Sequence, residues 1–259
     1  MKSCIAVLTR GYEDESQYSM LIKRNRHIAN NLNNKLIDIL IFHEGNINEN
    51  HQLYIKKHTP KLTLIFINIL NNAFKKEKEN IQAGTDFGSC WPMGYKHMCS
   101  FWFIDLWNFV QEYDILLRID EDCYVNCNID NILLKLNNCT FICGETSQDM
   151  AMAVVGLNEF TIDFINKNKC NFDFKKFDDR LPEGPYTNLI GISLNSVREN
   201  ALFIKYVEEI DSSGMIYRRR WGDLPLWGEV IYYIFGEDTM IIDTDIKYFH
   251  ESHNKNVNC

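Results

Sequence analysis

No stretch of this 259-residue chain approaches the roughly 18–20 unbroken apolar residues that a membrane-crossing helix requires. The opening run, MKSCIAVLTRGYEDES, is too short for a signal-peptide core, lacks its small-residue cleavage site, and turns acidic at once. It reads as a first core strand, and a soluble, cytoplasmic protein with no membrane span is the expectation. The five prolines form no hinge, and no low-complexity linker or internal repeat divides the chain, so one domain over 1–259 is expected. The nine cysteines include no Cys-x-x-Cys. Cys123 and Cys127, and Cys139 and Cys143, are each separated by three residues with no histidine pair beside them, so free thiols are expected rather than zinc. Excess positive charge is missing too. A net charge of −8 speaks against a nucleic-acid partner, which would need a basic field. Nor is there a Gly-rich phosphate loop of the kind that nucleotide-binding turns use.

What is present is an alternation of apolar runs and amphipathic stretches. Residues 3–9, 36–42 and 62–67 read as strands, and 17–33 as a helix with Lys23, Arg24 and Arg26 outside. Lys75–Asn80 is a solvated loop or frayed helix. Residues 95–110 form a helix apolar nearly all round, hence buried, and 113–119 (YDILLRI) form the next strand. Beyond it the pattern predicts helices at 130–137, 157–169, 197–211 and 224–235. Strands are predicted at 139–143, 187–194, 239–242 and 246–249, with a polar loop at 171–185. Strands separated by helical stretches make an α/β protein with a mostly parallel sheet.

Directly after the 113–119 strand comes Asp120-Glu121-Asp122. A strand does not easily carry two carboxylates in its buried middle, but at its carboxyl end they turn into the crevice where open α/β sheets bind ligands. Oxygen donors there suit Mn²⁺ or Mg²⁺, and such an ion commonly clamps a diphosphate. Taken alone the motif is weak. With 35 acidic residues, i, i+2 pairs arise by chance, and Asp243-Thr244-Asp245 is another.

Four segments in order strengthen it: YKHMCSF at 95–101, RIDED at 118–122 with CNID at 127–130, RWGDLP at 220–225, and IKYFH at 246–250. Together they resemble the fungal alpha-1,2-mannosyltransferase family, glycosyltransferase family 15. The resemblance covers about 95–259 and is weak over 1–80. It implies a GT-A fold, with a Rossmann-like mostly parallel central sheet, flanking helices and a smaller acceptor-side region. Residues 1–130 would be the nucleotide-binding half and 131–259 the acceptor-binding half.

The resemblance also implies transfer of a hexose from a nucleoside-diphosphate sugar to a glycan or glycoprotein acceptor, dependent on Mn²⁺ with Mg²⁺ as the alternative. GDP-mannose is the favoured donor and a UDP-hexose the other choice. By position, Asp120, Asp122 and His250 become metal ligands. Arg10, Tyr95, Asp120, Arg220 and Trp221 become nucleotide-sugar contacts, and Asp223, Tyr186 and Asn188 catalytic residues. Each also has a plainer reading: His250 as a surface histidine, Asp223 as a helix N-cap, Arg10 as a surface arginine, Tyr95 as half-buried core, and Arg218–Arg220 as a solvated run.

One departure bears on mechanism. The family carries a candidate nucleophilic glutamate in a Ser-Asn-Phe-Glu segment. Here Thr187-Asn188-Leu189-Ile190 keeps the asparagine and places Ile190 or Gly191 at the glutamate. Either the sugar is substituted from the front face without an enzyme nucleophile, or the activity has changed. Two rivals stay open: a degenerate nucleotide-sugar or glycan-binding module, and another metal enzyme on an α/β sheet. The latter is weakened by the missing phosphate loop.

Overall fold

The computed structural model describes residues 1–34, 36–168 and 181–252. Seven strands build the central sheet: β1 (Ser3–Leu8), β2 (Asp38–His43), β3 (Thr63–Asn68), β4 (Ile115–Ile119), β6 (Phe141–Cys143), β9 (Leu189–Ser193) and β10 (Met240–Ile242). Their order across the sheet is β10-β6-β9-β4-β1-β2-β3. The β1, β2, β3 and β4 pairings are parallel, as is β10 with β6, whereas β9 runs antiparallel between β4 and β6. Two short ribbons stand beside the sheet: β5 (Cys123–Val125) with β11 (Tyr248–His250), and β7 (Thr146–Gln148) with β8 (Glu183–Pro185). β5, β7 and β8 are only three residues each, too short for alternation to reveal them.

Strand side chains alternate between two cores. Ala6, Phe42, Leu116 and Ile192 face the helical segments at 93–108, 157–167, 201–213 and 223–235. Ile5, Ile41, Leu117 and Ile142 face the opposite layer, which contains the helices Ser19–Asn31 and Ile129–Lys135. The expected buried helix spans Met93–Asn108 but passes from α-helix through a π segment at Phe101–Asp105 to a 3₁₀ turn. Asp223–Val230 likewise continues into a π segment, Ile231–Phe235. The expected helix at 197–211 is two, Leu194–Arg198 and Ala201–Ser213, and a further short helix, Met215–Arg219, follows Gly214. Most of the polar loop expected at 171–185 lies outside the described residues; its end forms β8.

One expectation is overturned outright. Arg24, read as facing solvent, is fully buried. Its guanidinium donates to the carbonyls of Ile119 (3.0 Å) and Ala6 (3.1 Å) and to Asn25 Oδ1 (2.8 Å). It thus braces the carboxyl ends of β1 and β4, where backbone acceptors need partners. Burial lowers its guanidinium to about 10.

The helix that begins at Asp223 is pressed against β8 by two glycines. A Cβ on Gly228 would stand 2.3 Å from the Glu183 carbonyl oxygen, and one on Gly184 2.3 Å from that of Leu224. Only residues without a side chain permit this approach, and it sets where Asp223 sits.

Candidate active site at the carboxyl edge of the sheet

The exits of β4 and β6, the approach to β9 and the start of the 223–230 helix converge on a cavity of about 470 Å³. Arg118, the one charged residue in β4, stands at its floor, 4% exposed. Its Nε and Nη2 donate to the two oxygens of Asp120 (2.8 and 3.0 Å), and its Nη1 donates to Asp223. The guanidinium lies 4.4 Å from the Trp102 ring centroid. A bidentate fork on one carboxylate with a second carboxylate on the remaining nitrogen is an arrangement a planar guanidinium favours. Burial raises the Asp120 carboxyl above its ordinary range, against the pull of Arg118.

Asp223 is the first residue of its helix, with Gly222 at the N-cap and no side-chain capping bond. The plain N-cap reading therefore does not describe it, since its carboxylate turns to Arg118. The helix N-terminus favours negative charge there.

Asp122 lies two residues past Asp120 in a different environment. His250 is carried to it by β11, whose register places His250 opposite Cys123. His250 Nε2 is 3.3 Å from Asp122 Oδ2, and Ser252 donates to the same oxygen. Burial opposes ionisation of Asp122, but the bonds from His250 and Ser252 outweigh it and bring its carboxyl down to about 2. Among the described residues, the metal-capable group is Asp122, Cys123 and His250, with ligand atoms within 4.8 Å of one another. Burial pushes the Cys123 thiol up, favouring its protonated form. The usable donors are then a carboxylate and an imidazole, which fit Mn²⁺ or Mg²⁺ better than a thiolate-preferring metal. Asp120, whose two oxygens both accept from Arg118, is not brought into that group.

Behind His250 runs a short chain of hydrogen bonds. Asn188 Nδ2 donates to His250 Nδ1 (2.9 Å), and Tyr186 Oη lies 3.3 Å from the same nitrogen. Tyr248 donates to Asn188 Oδ1 (3.0 Å) and also to Glu145 (3.3 Å). The backbone joins in: Asp120 N donates to the Asn188 carbonyl at 2.8 Å. Burial pushes the Tyr186 hydroxyl up to about 12, so it stays protonated at neutral pH.

On the opposite wall Arg220 holds a left-handed backbone conformation, φ 67° and ψ 36°, unusual for a side-chain-bearing residue. Its guanidinium lies 4.2 Å from the Trp91 ring centroid and donates to Asp149 and to the Tyr95 hydroxyl. Burial raises the Tyr95 hydroxyl well above its ordinary range.

Of the residues singled out from sequence, Tyr95, Asp120, Tyr186, Asn188, Arg220, Asp223 and His250 line one cavity. Asp122 stands beside it through His250. Trp221 does not line it: it is 1% exposed and donates its ring N–H to the Val155 carbonyl (3.1 Å). Arg10 is exposed at the β1 exit, 5.0 Å from the Tyr12 ring. Asp243 and Asp245 are not at the metal-capable group; Asp243 pairs with Lys135 at 2.5 Å. Sequence reading missed Arg118, Trp91 and Asp149 as site residues. For Arg118 a signal existed, a lone charge within an apolar strand. Trp91 and Asp149 lie in loops where nothing local marks them.

A mostly parallel sheet with an acidic strand exit and a distant histidine brought beside it is the GT-A arrangement of glycosyltransferases. Comparison with solved structures shows that fold. The mannosyltransferase Ktr4p from Saccharomyces cerevisiae superposes with a TM-score of 0.77 at 17% identity, over 96% of this chain and 70% of that one. Core-mannan synthase A from Aspergillus fumigatus, in its Mn/GDP form, gives 0.76 at 15% identity over 96% and 74%.

By sequence, the homologues of this chain are fungal mannosyltransferases. A probable mannosyltransferase KTR3 of Saccharomyces cerevisiae is 30% identical over 154 residues, 54% of this chain and 37% of the relative. Glycolipid 2-alpha-mannosyltransferase 1 of Candida albicans is 24% identical over 170 residues, 60% and 39%. The matched region thus spans about two fifths of the length of these curated relatives. No protein-family model matches the chain. Among the described residues, no helix is long and apolar enough to cross a membrane.

Proposed function

We propose that this protein is a metal-dependent glycosyltransferase that moves a hexose from a nucleoside-diphosphate sugar to a hydroxyl of a glycan acceptor. Mannose from GDP-mannose is the leading donor, in keeping with the mannosyltransferase relatives and the Mn/GDP form of the Aspergillus neighbour. The observation that carries the reading is the pairing of Asp122 with His250, 128 residues apart in sequence, beside a cavity lined by Arg118, Asn188 and Asp223.

In this reading Asp122 and His250 would hold a divalent ion, whose contribution when bound would be to neutralise charge on the departing diphosphate. Asn188 and Tyr186 bound the His250 ring at Nδ1; with the proton on Nδ1 and Nε2 free for the ion, Tyr186 Oη would accept that proton's hydrogen bond. Arg118 fixes the positions of Asp120 and Asp223 through its three guanidinium nitrogens. Asp223 accepts a hydrogen bond from a sugar hydroxyl and helps position it. Ile190, 1% exposed and paired with Arg118 across the β4–β9 ladder, offers no nucleophile. In this reading the transfer is a front-face substitution with retention. The C1–oxygen bond to the diphosphate breaks as the acceptor oxygen bonds C1 on the same face, and the acceptor proton passes to the leaving diphosphate.

The buried Ile190 also motivates a second reading, a donor-binding module without turnover. Nucleotide release from GDP-mannose and UDP-glucose, with and without Mn²⁺, on wild type and Asp122→Ala separates the two. Metal-dependent release by one donor, abolished in the variant, supports the transferase. Metal-dependent binding without release, with simple mannosides supplied, supports the module. No response to either donor defeats both.

A further inference from the structure

On the far side of the Tyr186–His250 wall lies a second cavity of about 610 Å³, above the exits of β6 and β10. It shares only Ser147, Tyr186 and His250 with the first. Its size is within the roughly 300–1,000 Å³ of clefts that enclose drug-sized ligands. The lining combines aromatic surface from Tyr186, Tyr248 and Phe249 with the Glu145 carboxylate, the Lys247 ammonium and the Thr244 turn. The one formal negative charge and the one positive charge offset each other. Donors, acceptors and ring faces together suit a neutral polyhydroxylated ligand, not a phosphate or a peptide of one sign. The wall is held in place: Tyr186 N donates to the Glu145 carbonyl (3.0 Å), and Tyr248 donates to Glu145 Oε1 (3.3 Å).

We propose that this second cavity binds the non-reacting sugar residues of an oligosaccharide acceptor, whose terminal hydroxyl reaches over the Tyr186–His250 wall into the first cavity. The proposal rests on the glycosyl-transfer reading and adds to it a preference for acceptors longer than one sugar. Arg118 and Asp223 line only the first cavity, with His250 on the wall between the two, so the two cavities divide the substrate between them.

The test uses the full chain with Mn²⁺ and GDP, two probes (methyl α-mannoside and mannotriose) and two variants. Lys247→Ala removes a polar contact, and Thr244→Trp fills the cavity from an exposed turn. Mannotriose affinity by calorimetry is expected to fall about tenfold or more in both, the equivalent of one or two lost hydrogen bonds. Nucleotide release from GDP-mannose with methyl α-mannoside should stay within about twofold of wild type. Mannotriose that binds wild type and both variants equally, or binds none of them, overturns the proposal. If mannotriose binding behaves as expected while no donor turns over, the cavity assignment stands and the transferase reading falls. If turnover is normal and the variants change nothing, only the cavity assignment falls.

Discussion

Asp120 and Asp122 belong to the same three-residue motif, yet the structure gives them opposite chemistry. Asp120 is gripped through both oxygens by a buried arginine, and burial pushes its carboxyl up. Asp122 turns to the other side of the strand exit, meets an imidazole and a serine hydroxyl, and is pulled down to about 2. One carboxylate is committed to the buried arginine; the other faces the His250 imidazole and the Ser252 hydroxyl. An i, i+2 acidic pair on a continuous strand would share one face; here β4 ends at Ile119 and the chain turns at 121–122, which sends the two carboxylates to different partners.

The largest expected effect breaks the second of these sites. Asp122→Ala should reduce metal-dependent nucleotide release by about a hundredfold or more, as expected when the charge stabilising the leaving group is lost. Mn²⁺ titration should show the parallel loss of binding. Retention of both would move the metal to Asp120.

Breaking the first site should act on the fold. Arg118→Ala leaves Asp120 and Asp223 facing each other without their cation, and removing one partner from a buried ion network costs about 3–5 kcal/mol. The denaturant midpoint should fall accordingly, and an unchanged midpoint would mean the network contributes no stability. Asn188→Ala sharpens the comparison by leaving both carboxylates intact. Loss of the group that orients a histidine ligand typically weakens metal binding by about 10–100-fold, here read as the Mn²⁺ dissociation constant.

A pH experiment separates the two aspartates without a metal. The Asp122 carboxyl is lower in the folded protein than its ordinary value near 3.8, so its contribution is present above that value and is lost as pH falls toward about 2. The shift corresponds to about 2 kcal/mol. Denaturant unfolding of wild type and Asp122→Asn between pH 6 and 2.5 should show the wild type losing its advantage as the pH drops. A last test is the packing contact behind the site. Gly228→Ala forces a methyl against the Glu183 carbonyl and should cost about 1–3 kcal/mol, with thermal unfolding as the readout.

Sequence alone determined the alternation of strands and helices, the buried helix after residue 92, the acidic strand exit and the terminal histidine. These signals are local: apolar periodicity, an abrupt change from apolar to acidic, and motif order along the chain. The antiparallel insertion of β9 between β4 and β6, and the meeting of β5 with β11, could not be read locally, because strand neighbours are chosen by pairing between segments far apart in sequence. The burial of Arg24 was hidden for a related reason. A basic residue on an amphipathic helix reads as solvated unless the unsatisfied carbonyls it will meet are known. The division of labour between Asp120 and Asp122 likewise had to wait for tertiary structure. Residue type sets what a carboxylate can do, but its partner decides what it does; Arg118 is a local neighbour, whereas Asp223 and His250 reach the motif only when the sheet has closed around it.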